Sequence, residues 1–149
     1  MTTTAKKTTA RKPAAPAARK EPAPFILGKR PESISETIEF PLPDGTDAKI
    51  PCQFKYRTRK EFGDLWDQIT AEAGESVKID GDKFSFAGMF ERGDAVNAAN
   101  ALEYLMGWPD TMPPLTKETL IELFDQAPAA AQAFWNGYRD LCTKGRVGN

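Results

Sequence analysis

The chain has 149 residues, 40% hydrophobic and 28% charged, with two cysteines and no histidine. That composition fits one soluble globular domain. It excludes chemistry that needs an imidazole, such as the serine triad, Cys–His dyads, zincins and most mononuclear zinc sites. The net charge of −1 conceals a division, +7 over residues 1–30 and −8 over the rest, so a basic segment precedes an acidic body.

Cys52 and Cys142 lack the paired spacing of a disulfide framework, which points to a reducing cytoplasm. No apolar run approaches the ~20 residues of a membrane span, and the N-terminus lacks the apolar core of a secretory signal.

Residues 1–24 contain only Met, Thr, Ala, Lys, Arg, Pro and one Glu. Such a segment buries too little apolar area to offset the entropy of ordering it. Residues 1–30 therefore read as a disordered basic tail ahead of a domain at 31–149. Lys6, Lys7, Arg11, Lys12, Arg19 and Lys20 suit non-specific contact with nucleic acid or an acidic partner. A solubilising tail is the plainer role. Little serine and no amphipathic face argue against a transit peptide. Phe25-Ile26-Leu27 is an isolated apolar patch placed to dock on the body.

The body opens with alternation. Ile38, Phe40 and Leu42 form one apolar series, and Ile50, Cys52, Phe54 and Tyr56 another. The turn sequence Pro43-Asp44-Gly45 joins them, which predicts an antiparallel hairpin with one wet face. Pro41 and Pro51 cannot donate to a ladder, so both strands should be edge-like or bulged. The period then becomes helical at Phe62, Leu65, Trp66, Ile69 and Ala73, with Thr58 and Glu61 as a capping box and Gly74 as the stop.

Residues 75–92 admit two readings. One is a second short hairpin, with Val77 and Ile79, the turn Asp80-Gly81, then Phe84 and Phe86. The other is a short helix over Asp82–Arg92 carrying Phe86, Met89 and Phe90. The expectation is a mixture, a short strand and then a helical turn. Asp94 should cap the next helix. There Ala95, Ala98, Ala99, Leu102, Leu105 and Met106 share a face, and Gly107 and Pro109 should end it. A proline-rich loop follows over 107–115. Thr116 should cap a helix with Leu120, Leu123 and Phe124 inward. Pro128 should open the last helix, whose apolar stripe is Ala131, Phe134, Trp135, Tyr138, Leu141 and Cys142. The expected fold is α+β, a small N-terminal antiparallel β-hairpin unit followed by a compact bundle of about four helices.

Phosphate-binding glycine loops are missing from the sequence. Asp80-Gly81-Asp82 lacks the further oxygen ligands of a calcium loop and reads as an exposed turn. No catalytic residue, metal ligand or cofactor is expected. Clusters such as Phe134, Trp135 and Tyr138 are usually core. Three tryptophans and four methionines nonetheless supply adaptable apolar contacts. Met106, Trp108, Met112, Phe134 and Trp135 are the candidate protein-binding residues, Trp108 foremost because it follows a helix stop. By themselves these features describe an acidic interaction domain with a basic tail.

The last third adds a resemblance. Ala98–Met106, then Gly107-Trp108 and Asp110, resembles the glycine–tryptophan–acid step of the small tail assembly chaperones of long-tailed bacteriophages. Leu115 to Phe124 fits their following helix, and Ala127-Pro128-Ala129-Ala130-Ala131 is similar to the start of their last one. Their usual aromatic before the proline is Ala127 here. Tyr138-Arg139 and the closing Arg146-Val147-Gly148-Asn149 also match. The resemblance covers about residues 92–149 and the hairpin–helix layout before them.

It implies a non-enzymatic helper of virion morphogenesis that binds the tape measure protein, keeps it soluble and promotes tail-tube assembly. The place of action would be the host cytoplasm, with the protein absent from the finished tail. The major tail tube protein and a second copy of this chain are further candidate partners. The alternatives are a minor structural tail component and a nucleic-acid accessory protein acting through the tail. A dedicated nucleic-acid binder carries its basic patch on a folded face, and this body is at −8, so nucleic acid is not the expected partner.

Overall fold

The computed structural model describes residues 23–76 and 85–145. The expected strand at Val77 and Ile79, the Asp80-Gly81-Asp82 turn, Phe84, the six tail cations from Lys6 to Lys20 and the closing Arg146–Asn149 lie outside those residues.

Strands β1 (Ser33–Pro41) and β2 (Asp47–Lys55) form the expected antiparallel hairpin. The connection is a turn in which Gly45 N–H donates to the Leu42 carbonyl (3.0 Å) and Gly45 takes φ +88°. The Asp44 carboxylate accepts from the Thr46 amide and hydroxyl at 2.9 and 2.6 Å. Pro43 presets the first turn residue and Gly45 supplies the left-handed one, the pattern of a three-residue hairpin loop.

The register puts both prolines in one class of cross-strand pair, Thr37↔Pro51 and Pro41↔Asp47. Pairs alternate between hydrogen-bonded and non-hydrogen-bonded. Backbone bonds at Leu42–Thr46 and Tyr56–Glu32 fix the other class as the bonded one. The missing N–H groups therefore face away from the β1–β2 ladder, which loses nothing.

A third strand, β3 (Leu105–Gly107), pairs antiparallel with β2 and gives the order β1-β2-β3. β1 is thus an edge strand, as its proline suggested, whereas β2 is central. The β2–β3 pairing reaches only to Gln53, two residues short of Pro51, so that proline is accommodated without a β-bulge in the β1–β2 register.

Four helices are present among the described residues. Helix α1 (Arg59–Ser76) begins with the expected capping box: the Glu61 amide donates to Thr58 Oγ1 (3.2 Å) and the Thr58 amide to Glu61 Oε2 (2.9 Å). It continues through Gly74, the expected stop. An interior glycine costs a helix only about 1 kcal/mol and does not by itself end it.

Helix α2 (Phe86–Leu102) is a single helix capped by Ser85, whose Oγ accepts from the Gly88 amide at 3.2 Å. Asp94 lies within it and caps nothing, a correction to the expected break. Leu105 and Met106 are a second correction, since they belong to β3 rather than to the helix. The Glu103 and Tyr104 amides bond back to Asn100 and Ala101, the helix tightens and ends, and Lys55 N–H then donates to the Tyr104 carbonyl (2.8 Å) to start the strand pairing.

Helix α3 (Lys117–Gln126) is capped by Thr116, which exchanges hydrogen bonds with Thr119. Helix α4 (Ala130–Lys144) starts two residues after Pro128, which sits in the preceding turn, and ends at Gly145, φ +78°.

The core is one cluster beneath the sheet. Ile38, Phe40, Ile50, Cys52 and Phe54, on alternate positions of the hairpin, pack with Phe62, Ala98, Ala101, Leu120, Phe124, Phe134 and Tyr138 from the helices. Helix α4 crosses directly under β1, where Gly137 lies against Ile38. Phe25 and Leu27 do not dock on the body: both are 88% exposed. No described helix is long and apolar enough to cross a membrane.

Candidate interaction surface

A run of aromatic rings leads from the core to the surface. Tyr104 and Tyr138 stack at 4.7 Å between centroids with planes 10° apart, and Phe54 stacks on both. Phe62 meets Tyr138 edge-on, and Trp135 touches Phe62 and Tyr104. The outermost member is Trp66, edge-on to Trp135 at 5.7 Å and 40% exposed. Offset and edge-to-face contacts are the favoured arrangements for such rings.

The local sequence explains the placement. On α1, Phe62, Leu65 and Ile69 define the inner face, and Trp66 falls on its border. On α4, Trp135 sits beside the buried Phe134–Tyr138–Leu141 stripe. Of these, Ile69 and Trp135 line a groove of about 330 Å³ between α1, α2 and α4. Ile69, Tyr104, Ala131 and Trp135 give it an apolar floor, and Asn97, Asn100 and Gln132 give it a neutral polar rim.

Inside, the polar atoms are paired. Tyr138 Oη donates to the Lys55 carbonyl (3.0 Å) and accepts from Arg57 Nη1 (2.9 Å). Burial raises the pKa values of both Tyr104 and Tyr138. The Cys52 thiol is pushed up to about 12, and Cys142 also upward, again by burial. Both thiols thus stay protonated and are poor nucleophiles. No cluster of three or more His, Cys, Asp or Glu able to hold a metal ion occurs among the described residues.

The five candidate residues do not converge. Phe134 is fully buried, tilted against Phe40 and edge-on to Phe124, so it supports the fold from within. Trp108 and Met112 are half-buried and pack against the core. The indole N–H of Trp108 donates to the Pro113 carbonyl at 2.8 Å, folding the proline-rich loop over it. Trp108 also lines a second groove of about 410 Å³ with Ser35, Pro51 and Gln53. Met106 points outward from β3, 55% exposed. Only Trp135 reaches the groove between the helices.

Sequence reasoning missed Ile69 and Tyr104 as groove residues. The helical period marks Ile69 as inward and assigns Tyr104 to no face, and the groove exists only where three helices cross.

Over residues 23–149 the chain matches the model of the family described as phage tail assembly chaperone. No curated protein and no solved structure matches it. The matched span takes in the hairpin, the four helices and the groove between them, and on that ground the chain belongs to the phage tail assembly chaperone family.

Proposed function

We propose that this protein binds the tape measure protein of its phage, keeps it soluble before the tail tube polymerises and takes no part in catalysis. The observation that carries the reading is the aromatic run ending at Trp66 and Trp135 beside an apolar groove. A tape measure protein is a long helical rod whose apolar seams self-associate when uncovered. A groove between helices accepts the apolar face of another helix. Its uncharged rim favours no particular charge pattern in the client, and the acidic body keeps the complex in solution. Assembly would take place in the host cytoplasm, with the chaperone released before the particle is complete.

Co-expression with the tape measure protein tests this. The wild type should carry the client into the soluble fraction and co-purify with it. A folded Trp66→Ser variant should leave the client in the pellet. An insoluble client with the wild type, or undiminished capture by Trp66→Ser, overturns the reading. Mass spectrometry of purified particles should find no chaperone peptides.

A further inference from the structure

Strand β1 is an edge of the sheet, and among the described residues no strand pairs with its outer side. In the register with β2, Ile34, Glu36, Ile38 and Phe40 form the bonded class. The backbone groups of Ser33, Ser35, Thr37, Glu39 and Pro41 therefore point away from the hairpin. All but Pro41 offer both an N–H and a carbonyl. The usual means of closing such an edge are sparse here. The β1–β2 register has no bulge, the only proline is the last residue, and the strand carries no lysine or arginine. One guard is present. The Glu36 carboxylate accepts from the outward Thr37 N–H at 3.3 Å, a long bond, and stands where a neighbouring strand's carbonyl would.

We infer that β1 pairs antiparallel with β1 of a second copy of this chain, about a two-fold axis at Thr37, joining the two sheets into one. The choice of a second copy rests on self-complementarity. With Thr37 opposite Thr37 of the second copy, all nine residues of the strand find partners. Ser35 then faces Glu39 of the second copy and Ser33 faces its Pro41, and about eight backbone hydrogen bonds can form. By alternation, Ile34 meets Phe40 of the second copy and Glu36 meets its Ile38 on the inner face. No like charges stand directly opposed. Glu39 already has Lys49 at 3.8 Å in its own hairpin, so it brings little net charge to the seam. Other registers are worse. An axis at Glu36 sets the two Glu36 carboxylates against each other, and an axis at Ile38 runs Ser33 and Ile34 past the end of the other strand. On pairing, the Thr37 amide exchanges the Glu36 oxygen for a backbone carbonyl. No residue of β1 lines the groove between α1, α2 and α4, so self-pairing and client capture use different surfaces.

The test is sedimentation equilibrium of the full chain. A two-strand seam is a small interface, below about 1,200 Å² in total, so the dimer should dissociate over about 10–100 µM. Thr37→Pro removes an N–H that the hairpin does not use, as Pro51 already does at the cross-strand position. Circular dichroism should therefore show the fold intact. The seam loses two hydrogen bonds, and dimerisation should weaken at least about fivefold. Thr37→Lys and Thr37→Glu alter an exposed side chain, and each sets like charges on the axis. Each alone should weaken the dimer about two- to fivefold, and an equimolar mixture of the two should restore it. A wild type that stays monomeric up to about 0.5 mM overturns the proposal. So does a dimer indifferent to Thr37→Pro, or a Lys/Glu mixture that pairs no better than either variant alone. A monomer that loses the tape measure protein with Thr37→Pro also overturns it, and gives the edge to a strand of that client.

Discussion

A β-carbon on Gly137 would run into Cδ1 of Ile38. Helix α4 lies that close under β1, and Ile38 is itself buried. Glycine in a helix interior sacrifices about 1 kcal/mol of propensity relative to alanine, so the close approach must be worth more than that. Gly137→Ala regains the propensity but overpacks the core, at about 1–3 kcal/mol. The expected outcome is a net loss of about 1 kcal/mol, read as a lower denaturation midpoint with an unchanged m-value. A gain in stability would show that Ile38 can swing aside.

At the other end of the core, Thr58 caps α1. Its hydroxyl accepts from the Glu61 amide. Thr58→Ala should cost about 1 kcal/mol, measurable in the same titration, while Thr58→Ser should cost much less because the acceptor remains.

That cap was readable from four consecutive residues, and so was the hairpin, because both are local. The alternation of Ile38 and Phe40 with Thr37 and Glu39 states which face is buried, and Pro43-Asp44-Gly45 states how the chain reverses. Strand β3 was not readable. It has three residues, and Leu105 stands three beyond Leu102, the spacing of a continuing helix. Pairing with the end of β2 decides the matter, and that is a tertiary effect. The start of α2 failed for a related reason. Ser85 and Asp94 are both good caps, and the sequence carries no sign that only the first is used. The groove is a third case. Periodicity assigns Ile69 and Trp135 to inner faces and leaves Tyr104 unassigned, and it cannot say where three helices leave space between them.

Alkali should unfold the domain early. Burial raises the pKa values of Cys52, Tyr104 and Tyr138 in the folded state, the first to about 12. In the unfolded chain these groups ionise near 9 for the thiol and 10 for the phenols. Above that range the unfolded state holds fewer protons than the native one, so stability falls as pH rises. It should be flat below about pH 8.5 and drop steadily beyond pH 9–10. Tyr138→Phe should lower stability at pH 7 by about 1–2 kcal/mol, since it orphans the Lys55 carbonyl and an Arg57 donor. It should also flatten the alkaline decline. An equally steep decline would show that the Tyr138 phenol is not held neutral by burial.

Trp108 and Met106 separate packing from contact. Trp108 is half-buried against the core and hydrogen-bonded to Pro113, whereas Met106 projects from β3. Full truncation of a buried tryptophan costs about 3–5 kcal/mol. Half burial and one hydrogen bond put Trp108→Ala at about 2–3 kcal/mol, and Trp108→Phe at about 1 kcal/mol for the lost hydrogen bond. Met106→Ala removes surface that is mostly in water already and should stay within about 0.5 kcal/mol. If the client lies in the groove floored by Tyr104 and Trp135, neither Met106→Ala nor Trp108→Phe should alter its retention in the soluble fraction, while Trp66→Ser should. Loss of retention with Met106→Ala at full stability would instead move the contact to the outer side of the sheet. The second groove, where Trp108 lies beside Pro51 and Gln53, would then be the surface that meets the client.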